Sequence, residues 1–373
     1  MKHRLIYADN AATTKLSALA LEAMLPYLKE EFGNASQPYL SSRSSKKALK
    51  ESRITIANCI GALPDEIFFT SCGTESDNWA IYGALIQQLP IVTSSIEHHA
   101  ILRPCEYAAN RGNKVTLLPV SSTGLVDMKL LSRNLRDDCG LVSIMFANNE
   151  IGTIQSINDL ANETHKKGWI FHSDAVQAVG HIPIDVHKLG LDLLSASAHK
   201  FNGPKGIGFL YIKKGLKWPS LILGGSQEKG HRAGTENIAA IVGMATALQE
   251  NVDKMDYNSR HLKNLETRLL DGLRLLDVYY HRNGDNNHLF GNISLSFPFQ
   301  DGEALLHRMD LLGISVSTGS ACNSETTQIS HVLNAIGLDK TLANGTIRIS
   351  LGKENTLEDV DIIISTIKKI LTK

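Results

Sequence analysis

Leu141-Val142-Ser143-Ile144-Met145-Phe146-Ala147 is an apolar run interrupted only by Ser143, and Asn148-Asn149 follows it at once. A strand reads this way when helices cover both faces of its sheet; a strand with one wet face alternates instead. The same grammar extends outward in both directions. Upstream, Glu66–Thr70 (EIFFT) predicts a strand followed by a helix through Asn78–Leu85, and Pro90–Ser94 predicts another followed by a helix near His99–Asn110. Downstream, Ser156 with Asp159 three residues on has the spacing of a capping box, and Gly168 closes that helix. Trp169–Ser173, Leu191–Ser195 and Gly208–Ile212 supply further strands. This alternation predicts an α/β fold with a mostly parallel sheet, and it puts ligands beyond the carboxyl ends of the strands.

After about Asn251 the texture changes. A charged helical stretch from Asp253 to about Leu276 is followed by NISLSF, a helix near Glu303–Asp310, ISVST, TIRISL and a last helix opened by Thr356 and Asp359. This predicts a smaller α+β unit. No internal repeat, low-complexity tract or linker rich in proline and glycine is visible.

The chain has 373 residues, 43% of them hydrophobic and 20% charged, which suits a globular enzyme with a substantial core. Lysine plus arginine equals aspartate plus glutamate at 38 each, so no global charge argues for nucleic acid or a membrane surface. Arg43, Lys46, Lys47 and Lys50 read as a solvated helix face. The five cysteines, Cys59, Cys72, Cys105, Cys139 and Cys322, are odd in number and widely spaced, which fits neither a disulfide framework nor a zinc ribbon. The first residues lack an apolar signal core and no later run is long enough to span a bilayer, so the expected location is cytoplasmic. G-x-G-x-x-G, G-x-x-x-x-G-K-[ST] and H-E-x-x-H are absent. Glu97-His98-His99 is no expected metal site, since neighbours at a strand end point apart.

Chemistry collects at the predicted strand ends. Ser71-Cys72-Gly73-Thr74-Glu75-Ser76 leads from a strand into a helix, a natural phosphate cradle of backbone N–H groups and helix dipole. The next ends deliver His98, then Asn148 and Asn149, then Asp174 with Gln177 one turn on, then Ser197, His199 and Lys200. Each alone reads equally well as a cap or a satisfied polar group. Together they match the needs of pyridoxal phosphate: a lysine for covalent attachment, an aspartate for the ring nitrogen, an anion cradle and an imidazole against the ring.

"TSCGTESDN", "NNEIG", "HSDAVQ", "SASAHK" and "RAGTEN" resemble the motifs of class V aminotransferase-fold enzymes, and "STGSACNSE" resembles the cysteine loop of the NifS/IscS-like cysteine desulfurases. The likeness runs in order from Tyr7 to Ser350. It implies a pyridoxal-phosphate enzyme of fold type I, with a large domain over 11–252 and a smaller one made of 1–10 and 253–373 that carries the cysteine loop. It further implies that Lys200 binds the cofactor and later moves the substrate's Cα proton, that Asp174 pairs with the ring nitrogen, and that Gln177 bonds the ring oxygen. His98 would stack on the ring and handle substrate protons. Gly73, Thr74, Ser197 and His199 would hold the phosphate, with Thr235 reaching in from the other subunit of a homodimer. Asn149 and Arg348 would grip the substrate carboxylate, a task that suits the arginine fork.

By the same resemblance, Cys322 takes sulfur from L-cysteine as a persulfide and passes it to an acceptor protein, a scaffold for iron–sulfur clusters or a tRNA-thiolation enzyme. Its neighbours Gly319-Ser320-Ala321 and Asn323-Ser324-Glu325 are loop residues rather than core formers. Cys72 is the rival thiol and is read as a small buried filler. A selenocysteine lyase or another enzyme of the same fold stays open as an alternative, since it would share Lys200 and Asp174 without needing Cys322. "FGNASQPYLSS" lacks the histidine many such enzymes carry after Gly-Asn, and the longer tail through which some dock a scaffold is missing. Both departures bear on the acceptor and not on the chemistry.

Overall fold

The computed structural model describes residues 5–136, 139–318 and 329–372. In chain order its strands are β1 (Ile6–Tyr7), β2 (Ile67–Thr70), β3 (Ile91–Ser94), β4 (Val115–Leu118), β5 (Leu141–Ser143) and β6 (Ile170–Asp174), then β7 (Leu193–Ser197), β8 (Gly208–Ile212), β9 (His281–Asn283), β10 (Asn292–Ser296), β11 (Ile314–Ser315) and β12 (Thr346–Ser350).

The large sheet has the order β2-β8-β7-β6-β5-β3-β4. Its inner pairs are parallel, and β8 is antiparallel to both β7 and β2. Reversing β8 twice restores direction, so β2 runs the same way as β7 and its carboxyl end joins theirs on one edge. The alternation of side chains explains the apolar runs. Val142, Leu194 and Phe209 join one buried cluster, while their neighbours Leu141, Leu193 and Leu210 join another on the opposite face. Both faces are covered, as the opening run requires.

That run differs from expectation in length. The strand stops at Ser143, but Ile144 and Phe146 still donate N–H bonds to the carbonyls of His172 and Asp174, at 3.1 and 2.8 Å. The chain therefore stays beside β6 while it bends toward Asn148. Ser156 makes no side-chain capping bond, contrary to the expected box. Gly168 does stop that helix, three residues beyond His165 at φ +73, a conformation that favours glycine. A helix over Ile238–Asp253 was not anticipated; Lys254 separates it from Met255–Leu275. The capping box of Thr356 and Asp359 is present.

The remaining strands form two small groups, β12-β10-β9 antiparallel and the parallel pair β1-β11. They share a separate core of Leu265, Leu269, Ile293, Leu295, Ile347, Ile349 and Ile363. Arg43, Lys46, Lys47 and Lys50 are exposed on one helix, as a solvated face should be. Among the described residues no helix is long and apolar enough to cross a membrane.

Candidate active site

The carboxyl ends of β2, β6 and β7 converge because Gly208 of β8 lies opposite both Thr70 and Ser197. A Cβ at Gly208 would fall 2.5 Å from the Ala196 carbonyl oxygen, so only glycine permits this approach. The ends open into a cavity of about 380 Å³. Gly73, Thr74, His98, Asn149 and Asp174 line it, as do Gln177, Ser197, His199, Lys200 and Arg348. Thr235 does not; it is exposed on the segment before the helix Ile238–Asp253. Cys322 lies outside the described residues.

At one end the helix Gly73–Ile86 begins directly after the turn, five residues earlier than the sequence pattern indicated. Extended Cys72, two residues beyond the strand, is the residue from which the helix starts, and Glu75 reaches back to accept the Ser71 N–H at 2.8 Å. Gly73 is required here, since a Cβ would lie 2.6 Å from Val176 Cγ2. The helix N-terminus therefore faces the cavity, with first-turn N–H groups that have no intrahelical acceptor. Beside it the Ser197 hydroxyl is buried without a hydrogen-bond partner. His199 holds Thr13 Oγ1 at 3.1 Å, and burial, with Lys200 and Lys205 adding to it, pushes its imidazole down to about 4. An orphaned hydroxyl beside an open helix terminus fits a phosphate. Arg232 clamps Glu75 through Nε at 2.9 Å and Nη2 at 3.1 Å, which ties the segment leading to Thr235 to this end.

At the other end sits Asp174. Its Oδ1 accepts the Val176 N–H at 2.9 Å, and its carboxyl neighbours that of Asp77 on the same cavity wall. Burial raises the Asp174 carboxyl above the usual range, with His98 and Lys200 pulling the other way. His98 caps the helix His99–Asn110 by accepting the Ala100 N–H at Nδ1, 3.1 Å, so the neutral ring carries its proton on Nε2. Burial lowers its basicity, opposed by Asp174 and reinforced by Lys200. Lys200 follows β7 through the short turn Ala198–Lys200 and donates to the carbonyls of Ala11 and Ala12 at 2.6 and 2.7 Å. Gln177 donates to the same Ala11 carbonyl at 2.9 Å. A lysine amine, a buried carboxyl and a phosphate cradle on one cavity fit pyridoxal phosphate.

Arg348 comes from β12. It pairs with Asp9 at 2.7 Å and donates to the Asn149 carbonyl at 3.0 Å, while its buried Nε has no partner. Asn149 thus orients the arginine through its backbone as well as lining the wall. Several groups in the cavity were not singled out by the sequence. Glu150 accepts from Ser330 Oγ at 2.5 Å and is pushed up to about 7 by burial, against the pull of Ser330 and Arg348. Asp77 lies one helical turn after Thr74, a spacing that would have placed it on the same face. Cys72 corrects an expectation: it is half-buried and part of the cavity wall, not a buried filler. Glu97 turns away from His98 and His99 into the core, where Oε1 accepts from Ser94 Oγ at 2.5 Å and the Met145 N–H at 3.0 Å. Among the described residues no three His, Cys, Asp or Glu side chains are grouped to hold a metal ion.

Comparison with known proteins places these features in a wider setting. The profile described as "Aminotransferase class-V" matches residues 6–363. A cysteine desulfurase IscS of Methanosarcina thermophila is 45% identical, over 100% of this chain and 93% of its own. A cysteine desulfurase NifS of Azotobacter vinelandii is 39% identical, over 99% and 93%. Among solved structures, a NifS-like protein superposes with a TM-score of 0.93 at 39% identity, covering 99% of this chain and 100% of that one. A structure of SspA in complex with cysteine has a TM-score of 0.84 at 33% identity, covering 94% and 100%.

Proposed function

The chain belongs to the aminotransferase class-V family, and on that premise we propose how its residues divide the work of a pyridoxal-phosphate-dependent cysteine desulfurase. The reaction turns L-cysteine into L-alanine. The observation that carries the assignment of roles is the convergence of Lys200, Asp174, Ser197 and Arg348 on one cavity at the strand ends.

Pyridoxal phosphate, when bound, supplies the electron sink for bond changes at the substrate's Cα and Cβ. Thr74, Ser197, His199 and the amides from Gly73 onward would hold its phosphate, and Lys200 Nζ would be its point of attachment. Asp174 would hold the ring nitrogen's proton in place, Gln177 would bond the ring oxygen and His98 would cover the ring. Arg348 binds the substrate carboxylate through the edge that Asp9 and Asn149 leave open. Lys200 Nζ takes the Cα proton. Cys322, as thiolate, attacks the substrate sulfur: an S–S bond forms, the Cβ–S bond breaks, and the carbon takes the proton that makes alanine. The persulfide then passes to an acceptor protein, a scaffold for iron–sulfur clusters or a tRNA-thiolation enzyme.

Three further features belong to this reading. Thr235, exposed and tied through Arg232 to the phosphate end, completes a partner's phosphate site in a homodimer. Residues 11–252 and the pair 1–10 with 253–373 act as two domains, a division supported by their separate cores. The enzyme works in the cytoplasm.

The test uses the holoenzyme pulsed with L-cysteine and digested for mass spectrometry. Extra sulfur should sit on the peptide holding Cys322, and Cys322→Ala should keep its yellow colour yet release almost no alanine. Borohydride should fix the cofactor to Lys200. Persulfide on Cys72, which shares the cavity wall, or full turnover in Cys322→Ala would overturn the assignment, and selenocysteine turnover surviving in that variant would favour a lyase.

A further inference from the structure

Behind Asp174 lies a chain of polar groups that nothing in the reaction as described requires. His172 is fully buried between two serines, with Nδ1 2.9 Å from Ser143 Oγ and Nε2 3.0 Å from Ser195 Oγ. Burial pushes its imidazole down to about 3, so it is neutral and carries one ring proton. Ser195 in turn neighbours Asp77, whose carboxyl neighbours that of Asp174 on the wall of the same cavity. Asp77 Oδ1 stands 3.8 Å from His172 Nε2 and has no hydrogen-bond partner.

Counting protons orders the chain. With the His172 Nε2–H offered to Ser195 and the Ser143 hydroxyl offered to Nδ1, the Ser195 hydroxyl proton is left to point at Asp77. Every donor then points toward Asp77. The last link, carboxyl to carboxyl, needs one more proton, because two ionised carboxylates in contact inside a protein repel strongly. The surroundings decide which acid keeps it. Asp174 has the Val176 N–H, His98 and Lys200 to favour its anion. Asp77 is only 1% exposed, leaves one oxygen idle, and faces Asp174, Glu97 and Cys72 with no cation among them.

We propose that Asp77 is a positioning residue for the reaction: as a neutral acid it donates a hydrogen bond to Asp174, and so keeps the shared proton on the cofactor's ring nitrogen. A carboxylate that accepts such a bond is a weaker base, which favours its charged form. The bond from Val176 and the bond from Asp77 together fix the carboxylate's orientation. Burial and the Asp174 charge both drive the Asp77 carboxyl well above the ordinary aspartate range, in the direction this role needs. The inference rests on Asp174 facing the ring nitrogen, as set out above.

Asparagine reproduces a neutral acid's shape with one donor and one acceptor, whereas leucine removes both. Holoenzyme is reconstituted with cofactor labelled with ¹⁵N in the ring, and the nitrogen's chemical shift is read alongside kcat and KM. Wild type and Asp77→Asn should both show a protonated nitrogen, with kcat within about threefold of each other. Asp77→Leu should shift the signal toward the unprotonated form and lose tenfold or more in kcat, with KM for cysteine little changed. A protonated signal and near-normal kcat in folded Asp77→Leu would overturn the proposal. So would an Asp77→Asn as impaired as the leucine variant, since that would make the residue a needed anion. An Asp174→Asn enzyme that keeps the wild-type signal would instead defeat the underlying role of Asp174.

Discussion

Ser197 and Asp174 end neighbouring strands, yet they stand in unlike surroundings. Around Ser197 the donors are a hydroxyl, a helix terminus and the side chains of Thr74 and His199, the threonine exposed and the histidine half-buried. Around Asp174 lie Asp77 and Glu97, both fully inside, with His172 behind them. The first end is an assembly of small contributions, each replaceable by its neighbours or by water. The second is a cluster of acids whose proton count is fixed by burial, where one changed group alters the state of the rest. On the proposed assignment, an anion that must be held and a proton that must be kept in place ask for these two constructions.

The difference should be largest in catalysis. Asp174→Asn should retain the cofactor but lose about two to three decades in kcat, since removing a charge partner of this kind costs roughly 3–4 kcal/mol. Steady-state rates at saturating cofactor check it, and near-normal turnover would erase the contrast. A milder effect of a different kind is expected at the other end. Ser197→Ala removes one hydrogen bond to a charged group, about 1.5 kcal/mol, so cofactor affinity should fall roughly tenfold while kcat at saturation stays within twofold. Equilibrium dialysis measures this, and a kcat loss larger than the affinity loss would show that the phosphate end also governs chemistry.

The smallest effect concerns stability. Burial lifts the Glu97 carboxyl from its ordinary 4.5 to about 8 in the folded protein. The fold therefore binds this proton more tightly than the unfolded chain, and the associated stability is full below pH 4.5 and drains away as pH rises toward 8. Glu97→Gln cannot lose a proton, so its Tm should gain on the wild type from pH 5 to pH 8. The gain is at most ~1.4 kcal/mol per pH unit, of the order of a degree or two in a chain of this length. His172 pulls the other way at lower pH but is common to both proteins and cancels in the difference. A gap in Tm independent of pH would mean that Glu97 is not the titrating group.

What the sequence made legible follows the same division. Thr74, His98, Asp174, Ser197 and Lys200 could be found because a strand's end is marked by the switch from apolar to polar residues, and strand ends share an edge. The reversal of β8 left no such mark, since its two covered faces read like those of any inner strand. Nor did Asp77 announce itself: a polar residue early in a helix reads as a cap, and only the packed sheet shows that its side chain neighbours another acid. Cys72 illustrates the limit from the other side. Its small neighbours suggested burial, but the earlier start of the helix at Gly73 leaves the thiol on the cavity wall. Cys322 was read mostly from the resemblance of its loop to that of the cysteine desulfurases, and it stands outside the described residues.

Arg348 and Asp9 meet across 339 residues of sequence. Asn10 and Ala11 are bound to Ser350 over almost the same span, at 2.9 and 3.0 Å. A ribosome adding about 5–20 residues per second needs roughly twenty seconds to a minute to traverse that interval. The groups proposed to hold the cofactor, from Gly73 to Lys200, are all synthesised well before it ends. On the proposed assignment, the residues for the cofactor leave the ribosome first and the arginine for the substrate's carboxylate last, so the site is complete only once the strand carrying Arg348 lies beside the chain's first residues.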